Sequence, residues 1–230
     1  MRSRLQWIDS SDALTELNDW KSIWALRGWN NFHNAPVVVE SYDVPLQAGA
    51  AFNSHRIKAR DVDMPLFVAA ENRRTFLEKI RALVSAFNVD KGEGRLRVHS
   101  EDGTIRDLFC RYVRGLEGAT GGQAWTPGSG LMVVSFRALD PFWYSITPQT
   151  DLFTTTGATA PFFPFFPLVL TAGAIFETQI VNNPGDYLAW PVWTITGPCT
   201  NLRLTNQNTG YVLEAVLSLT AGEQVVIDTR

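Results

Sequence analysis

The chain has 230 residues, of which 45% are hydrophobic and 19% are charged, and its mean hydropathy is -0.05. This composition is typical of a globular protein and excludes a disordered or membrane-embedded chain. The first 140 residues carry 18 Lys and Arg against 17 Asp and Glu, and the remainder carries 2 against 6. Neither part has the excess of positive charge that phosphate binding requires, so we expect no specific nucleic-acid binding.

The sequence contains no apolar run of membrane-spanning length, and residues 1–9 lack the apolar core of a secretion signal. We therefore expect no membrane insertion, and folding in a cytoplasm. Cys110 and Cys199 fall in different predicted domains and suit buried apolar positions better than a disulfide. Their only possible nitrogen partners are three scattered histidines, so we expect no metal site.

The charged first part of the chain predicts a sheet. Short strands and turns are expected around the tryptophans near the start, and residues 37–42 are β-branched and strand-like. Residues 52–60 alternate, with Arg56, Lys58 and Arg60 on one face. We interpret this basic face as solvated in preference to a contact with a partner.

One helix is predicted, from about Glu71 to Phe87, after a further alternating strand at residues 62–68. Apolar residues recur in it at a spacing of three to four and should cover a sheet. They are Phe76, Leu77, Ile80, Leu83, Val84 and Phe87. Two glycines in residues 90–94 end the element.

A hairpin signal between residues 95–98 and residues 105–114 predicts two paired strands. His99 lies on their polar face, and we interpret it as solvated and not catalytic, because no nucleophile or carboxylate pair is placed beside it. Residues 115–130 are rich in glycine and predict a long, mobile hairpin loop. The last strand of the first domain follows at residues 131–139, with Met132, Val134, Phe136 and Ala138 on one face.

The motif Asp-Pro-Phe-Trp at residues 140–143 separates two stretches of different composition. We predict one domain over residues 1–140 and a second over residues 141–230. The aromatic pair of the motif is either an anchor where the domains meet or an ordinary strand end. Four phenylalanines in residues 161–167 form either an edge segment over their own domain, which we favour, or a partner contact. Short strands with turn signals then predict an antiparallel β-sandwich.

Catalytic signatures are absent from the sequence. It contains no glycine-rich phosphate loop, dinucleotide fingerprint, HExxH or GxSxG pattern, so no catalytic, cofactor-binding or metal-binding residue is predicted. Carboxylates that converge only in three dimensions would leave a hydrolase as the alternative. We expect no enzyme.

Several short motifs follow one another in a defined order along most of the chain. They lie at residues 60–66, 73–87, 94–98, 102–103, 108–112, 140–143, 183–186, 190–191, 195–198, 206–210 and 221–228. This order resembles the distal tail protein family of long-tailed phages, also called the siphovirus tail component family. The resemblance is carried by the order of the motifs and not by any single one.

The resemblance implies a structural virion protein of the tail tip, or baseplate, located in the virion and, during assembly, in the host cytoplasm. Six copies would form a ring that connects the tail tube protein to the tail hub protein and surrounds the channel for the tape-measure protein and DNA. The first domain would be a tail-tube-like belt of a sheet with a flanking helix. The second would be a galectin-like sandwich that attaches neighbouring or receptor-binding proteins.

Two further expectations accompany this resemblance. Sequences of this type usually continue past residues 227–230 with more strands, so we expect the second domain to be incomplete at its C-terminus. The competing function is a carbohydrate-binding module, in which Tyr187, Trp190 and Trp193 would stack on sugars. Because Trp193 shares a face with Ile195 by alternation, we favour a core position for Trp193.

Overall fold

The computed structural model describes residues 4–117, 125–126, 128–152, 178 and 180–230. The chain divides into two compact units, Met1–Gln149 and Thr150–Arg230. The described residues are mostly β-strand with a single α-helix, and all their strand pairs are antiparallel. The predicted fold class, mainly β with one helix, is thereby confirmed.

Eleven strands and the helix α1 (Arg73–Ala86) form the described part of the first unit. The strands are β1 (Arg4–Ile8), β2 (Leu14–Glu16), β3 (Ile23–Ala25), β4 (Val37–Asp43), β5 (Ala50–Ile57), β6 (Arg60–Ala69), β7 (Gly94–His99), β8 (Ile105–Arg114), β9 (Trp125–Thr126), β10 (Ser129–Ala138) and β11 (Tyr144–Ser145). The main sheet has the order β2-β1-β7-β8-β10-β6-β3, with β9 added to β10 and β11 added to β8. Strands β4 and β5 pair with each other as a separate hairpin.

The core lies between the two halves of this sheet. Strand β6 buries every second side chain, as alternation predicts, and β10 does the same with Met132, Val134, Phe136 and Ala138. Trp7 on β1 stacks on Phe136 at a ring-centroid distance of 5.0 Å. Since β7 and β8 separate these two strands in the sheet order, the sheet must fold over to bring both rings together. Phe87 packs edge-on against each of them.

Helix α1 covers this core with a narrower face than the sequence predicts. Its N-cap is Asn72, whose side chain accepts a hydrogen bond from the Thr75 amide at 2.9 Å, so the helix begins after Glu71. Phe76, Leu83 and Phe87 are buried. The predicted burial of Leu77 and Val84 is wrong: both are exposed, because the sheet contacts only one line of the apolar stripe.

The strand predicted over residues 52–60 is interrupted. Strand β5 ends at Ile57 and β6 begins at Arg60, so the expected single strand is two. Arg60 does not share an exposed basic face with Arg56 and Lys58, since it is 1% exposed. Its Nη1 donates to the Phe32 carbonyl oxygen at 3.0 Å and its guanidinium lies 6.0 Å from the Trp143 ring centre.

The predicted pairing of the strands around the glycine-rich segment is confirmed. Strand β8 pairs with β10 through Arg114 opposite Ser135, and a bulge follows at the next position. Strands β9 and β10 occupy part of the segment predicted as a loop, because Trp125 and Thr126 pair with Gly130 and Ser129. Mobility is predicted for residues 115–130, of which residues 118–124 and 127 lie outside the described residues.

The junction motif packs on the first unit. Pro141 is buried, Trp143 packs against the core of that unit, and Tyr144 pairs with Asp107 of β8. The chain divides into its two units after Gln149, so the motif belongs to the first unit.

The second unit contains four described strands in two antiparallel pairs. They are β12 (Val192–Thr196), β13 (Cys199–Thr205), β14 (Val212–Leu219) and β15 (Gln224–Asp228), paired as β12 with β15 and β13 with β14. Trp193 and Ile195 share a half-buried face opposite Ile227 and Val225, which confirms their predicted alternation. The phenylalanine-rich residues 161–167 lie outside the described residues.

Candidate assembly surfaces

Chemical groups that could form an active site are dispersed in the described ranges. No three His, Cys, Asp or Glu side chains in them are grouped to hold a metal ion. His33 meets Phe32 edge-on, His55 lies beside Phe52, and His99 Nε2 lies 3.0 Å from Gln6 Oε1. Neither cysteine forms a disulfide, and burial raises the pKa of the Cys110 thiol far above its ordinary value.

Strands β4 and β5 form an exposed hairpin, which we call the arm (Val37–Ile57). Val37 and Val39 project from one face of β4, and Phe52 and His55 project from the same face of β5. Val37, Val39 and Phe52 are exposed. A two-stranded hairpin is marginally stable without cover, and among the described residues the apolar face of the arm is left open.

The tip of the arm presents one large apolar side chain. Leu46 is fully exposed, and its φ is +65°, in the left-handed region that a leucine rarely adopts. The turn is closed by the Gln47 amide, which donates to the Val44 carbonyl oxygen at 3.2 Å. The sequence marks this turn through Pro45 and Gly49 but carries no signal for the exposure of Leu46 or for its backbone conformation.

A groove of about 410 Å³ lies on the outer face of β6, β8 and β10. Pro65, Val133 and Gly28 give it apolar walls, and Asp63, Arg114 and Ser135 line its polar side. Ser135 Oγ donates to Asp63 Oδ1 at 2.5 Å, and Arg114 Nε donates to Ser135 Oγ at 3.3 Å. These bonds fix the polar side, while Val133 is exposed beside it.

The same outer face carries an ion pair next to the groove and apolar side chains beyond it. Arg137 donates to both carboxylate oxygens of Asp61, at 2.7 and 2.8 Å. The Arg137 hydrogen bond lowers the pKa of Asp61 below its ordinary value. At the other end, Trp24 and Phe67 pack against each other, and Leu131 lies opposite Phe67 and is exposed. This face therefore runs from a charged end at Asp61 and Arg137, through the groove, to an apolar end at Phe67 and Leu131.

A different face of the sheet is closed by internal ion pairs. Arg97 donates to both Asp107 oxygens, at 2.8 and 2.7 Å, and these hydrogen bonds raise the pKa of Arg97. On the neighbouring strand pair, Arg4 Nε donates to Glu16 Oε2 at 3.0 Å, and Gln6 Nε2 donates to Glu16 Oε1 at 2.8 Å. We call Arg4, Glu16, Arg97 and Asp107 the ion-paired face. Its charges neutralise one another and offer a partner little net charge.

Exposed aromatic side chains also precede β12 in the second unit. Tyr187 and Trp190 are both exposed, whereas Trp193 is half-buried. Asn183 Nδ2 donates to the Tyr187 carbonyl oxygen at 2.7 Å, which holds this loop. The structure thus separates the three predicted sugar-stacking residues into two that are accessible and one that packs with its strand neighbours.

Comparison with known proteins identifies the fold. No protein-family model and no curated protein matches the chain. Among solved structures, it is similar to the Dit protein (gp 19.1) of SPP1, described as a paradigm of the hub adsorption apparatus in phages that infect Gram-positive bacteria. The TM-score is 0.53 at 11% sequence identity, over 98% of this chain and 79% of that one.

The phage P2 baseplate in its activated conformation also matches, in one structure with Ca and in another with Sr. In each case the TM-score is 0.54 and the identity 10%, over 100% of this chain and 82% of the other. The chain shares the fold of these phage tail proteins. In the described part of the chain, no helix is long and apolar enough to cross a membrane.

Proposed function

We propose that this protein is a structural component of a phage tail tip. The observation that carries the proposal is the fold, which matches Dit and baseplate chains over 98 to 100% of the sequence. Exposed apolar surfaces on the arm and beside the groove support a role built on protein contacts and not on bond chemistry. In this role the chain is not an enzyme and uses no cofactor.

The assembly that we propose is a homo-oligomeric ring, with six copies as the expected number. It lies between the tail tube protein and the tail hub protein and leaves a channel for the tape-measure protein and DNA. The first unit forms the belt and the second unit, a galectin-like sandwich, stays outside to hold receptor-binding proteins. A closed ring requires two different faces of each copy to meet, and the arm and the groove are two such faces.

The channel lining is proposed to be neutral or acidic, because a basic surface would bind phosphates and slow the passage of DNA. The ion-paired face supports this proposal, because Arg97 there is paired with Asp107 of the same chain. Fluorescence anisotropy with duplex DNA at low and moderate salt tests the proposal on the assembled protein. Tight, salt-sensitive binding would contradict it.

The ring is tested by the absolute mass of the purified protein, measured by light scattering at several concentrations and salt levels. A discrete species at six times the 25.7 kDa monomer mass is the expected result. The position in the virion is tested separately, by gold-labelled antibody against this chain on intact tails. Label along the tail or on the capsid, with none at the tip, would overturn the tail-tip proposal.

A second candidate function, carbohydrate binding, is favoured by the exposure of Tyr187 and Trp190. A glycan array screened with the wild-type chain and with Trp190→Ala tests it. Binding that depends on Trp190 would support a sugar site on the second unit. Its absence over a broad panel would leave this unit as an attachment surface.

A further inference from the structure

The arm and the groove both expose apolar side chains. Leu46 extends from the tip of a hairpin whose seven-residue strand β4 is about 23 Å long. It has no covering group, and its left-handed backbone is the kind of local strain that is found at functional contacts. The groove, in turn, has two apolar walls and a volume larger than a leucine side chain.

The tip of the arm carries a negative charge, and the groove carries a positive charge on Arg114 beside the carboxylate of Asp63. Asp43 ends β4 close to the tip and is exposed, and Arg114 lines the groove. Across the described ranges, neither has an ion pair within 4.0 Å. Arg114 affects the pKa of Asp61 and Glu117, but Arg137 and the Gly115 amide hold those carboxylates. The Nε of Arg114 donates to Ser135 Oγ, and its remaining N–H groups can donate to a carboxylate from another molecule.

We propose that the tip of the arm docks into the groove of a second copy of this chain. Leu46 then packs between Pro65 and Val133 of the next copy while Asp43 pairs with its Arg114. Because arm and groove are different surfaces, each copy both gives and receives one contact, which is the heterologous arrangement that a ring requires. The inference rests on the proposed homo-oligomer and names the surfaces that would build it.

Charge reversal tests the contact in trans. We expect Asp43→Arg alone and Arg114→Asp alone to weaken self-association at least about tenfold, because each places like charges together. An equimolar mixture of the two variants should recover association to within about threefold of wild type, because every contact in an alternating assembly then joins opposite charges. Sedimentation velocity over a concentration series measures both effects.

Leu46→Gly tests the apolar half of the contact. It removes the side chain and suits the positive φ, so the melting temperature should stay the same or rise while association weakens at least about tenfold. The matched control is Arg106→Asp, an exposed arginine at the other end of β8, which should leave association unchanged. Circular dichroism of each variant, with Arg114→Gln as a milder alternative to charge reversal, confirms that the fold is retained.

The possible outcomes separate this inference from the proposed function. Association that survives both reversals and Leu46→Gly would overturn the docking while leaving the ring in place. A mixture that stays dissociated would overturn the pairing of Asp43 with Arg114 between copies. A wild-type chain that is monomeric at every concentration would overturn docking on a second copy, and antibody labelling of tails would still decide the tail-tip proposal.

Discussion

The indole nitrogen of Trp143 donates a hydrogen bond to the carbonyl oxygen of Phe32, 3.0 Å away. The two rings also meet edge to face at a centroid distance of 5.1 Å. Arg60 donates to the same carbonyl oxygen. The Phe32 carbonyl oxygen thus joins three segments that are far apart in sequence. Through Trp143, the junction motif stabilises the first unit.

Substitution of Trp143 should show how much its hydrogen bond and its packing contribute to the free energy of unfolding. Trp143→Phe keeps a ring but loses the hydrogen bond, so the free energy of unfolding should fall by about 1 kcal/mol. Trp143→Ala also removes packing and should cost about 2 to 3 kcal/mol. Urea unfolding followed by fluorescence measures both, and Trp190→Phe, at an exposed site in the second unit, is the control. If Trp143→Phe and Trp190→Phe lowered the free energy of unfolding equally, the Trp143 hydrogen bond would not stabilise the first unit.

Acid should weaken the first unit through Asp9. Lys91 Nζ donates to Asp9 Oδ2 at 2.8 Å, and this bond, helped by Ser11, lowers the pKa of Asp9 far below its ordinary value. Because the native pKa lies below the unfolded one, the contribution is complete above about pH 5 and is lost as the pH falls.

Asp9→Asn should therefore lower the melting temperature at pH 7 and reduce its decline between about pH 5 and pH 2. Thermal melts across that range measure the difference. Asp90→Asn, in the same loop as Lys91, is the control and should follow the wild-type profile. If the melting temperature of Asp9→Asn changed with pH as that of the wild type does, the Asp9–Lys91 ion pair would contribute nothing to acid sensitivity.

The two flanks of α1 should respond differently to truncation. Leu83→Ala removes a buried side chain and should cost about 2 to 5 kcal/mol of folding free energy. Val84→Ala changes an exposed neighbour and should shift it by less than about 0.5 kcal/mol. Chemical denaturation of the two variants and the wild type measures these changes in folding free energy. A large loss for Val84→Ala would show that the exposed flank is covered in solution.

Gly115 should tolerate no side chain. Its φ is +121°, and a Cβ there would overlap the Val133 carbonyl oxygen on β10. Gly115→Ala should therefore cost at least about 2 kcal/mol. Gly103→Ala is the matched control: its φ is +87° with open space around the Cβ, so only the cost of the left-handed backbone, about 1 kcal/mol, remains. If the two substitutions lowered the free energy of unfolding by similar amounts, the left-handed backbone alone would account for the cost at both glycines.

Local patterns were sufficient to predict most elements of the first unit. Alternation identified β6 and β10 and the buried side of each, since side chains of a half-covered strand must alternate between core and water. The three-to-four spacing identified α1 within two residues at its start. The same reasoning failed for Leu77 and Val84, because periodicity shows which side chains share a face but not how wide the contacting surface is.

Only tertiary structure decided the surfaces proposed for assembly. The alternation of residues 52–60 looked continuous, yet the chain turns after Ile57 and buries Arg60 against Phe32 and Trp143, partners remote in sequence. The groove arises where β6, β8 and β10 meet. The sequence determined which residues are apolar and where the chain turns. Which apolar residues stay uncovered, Leu46 and Val133 among them, depends on contacts between distant segments, and no local pattern encodes those.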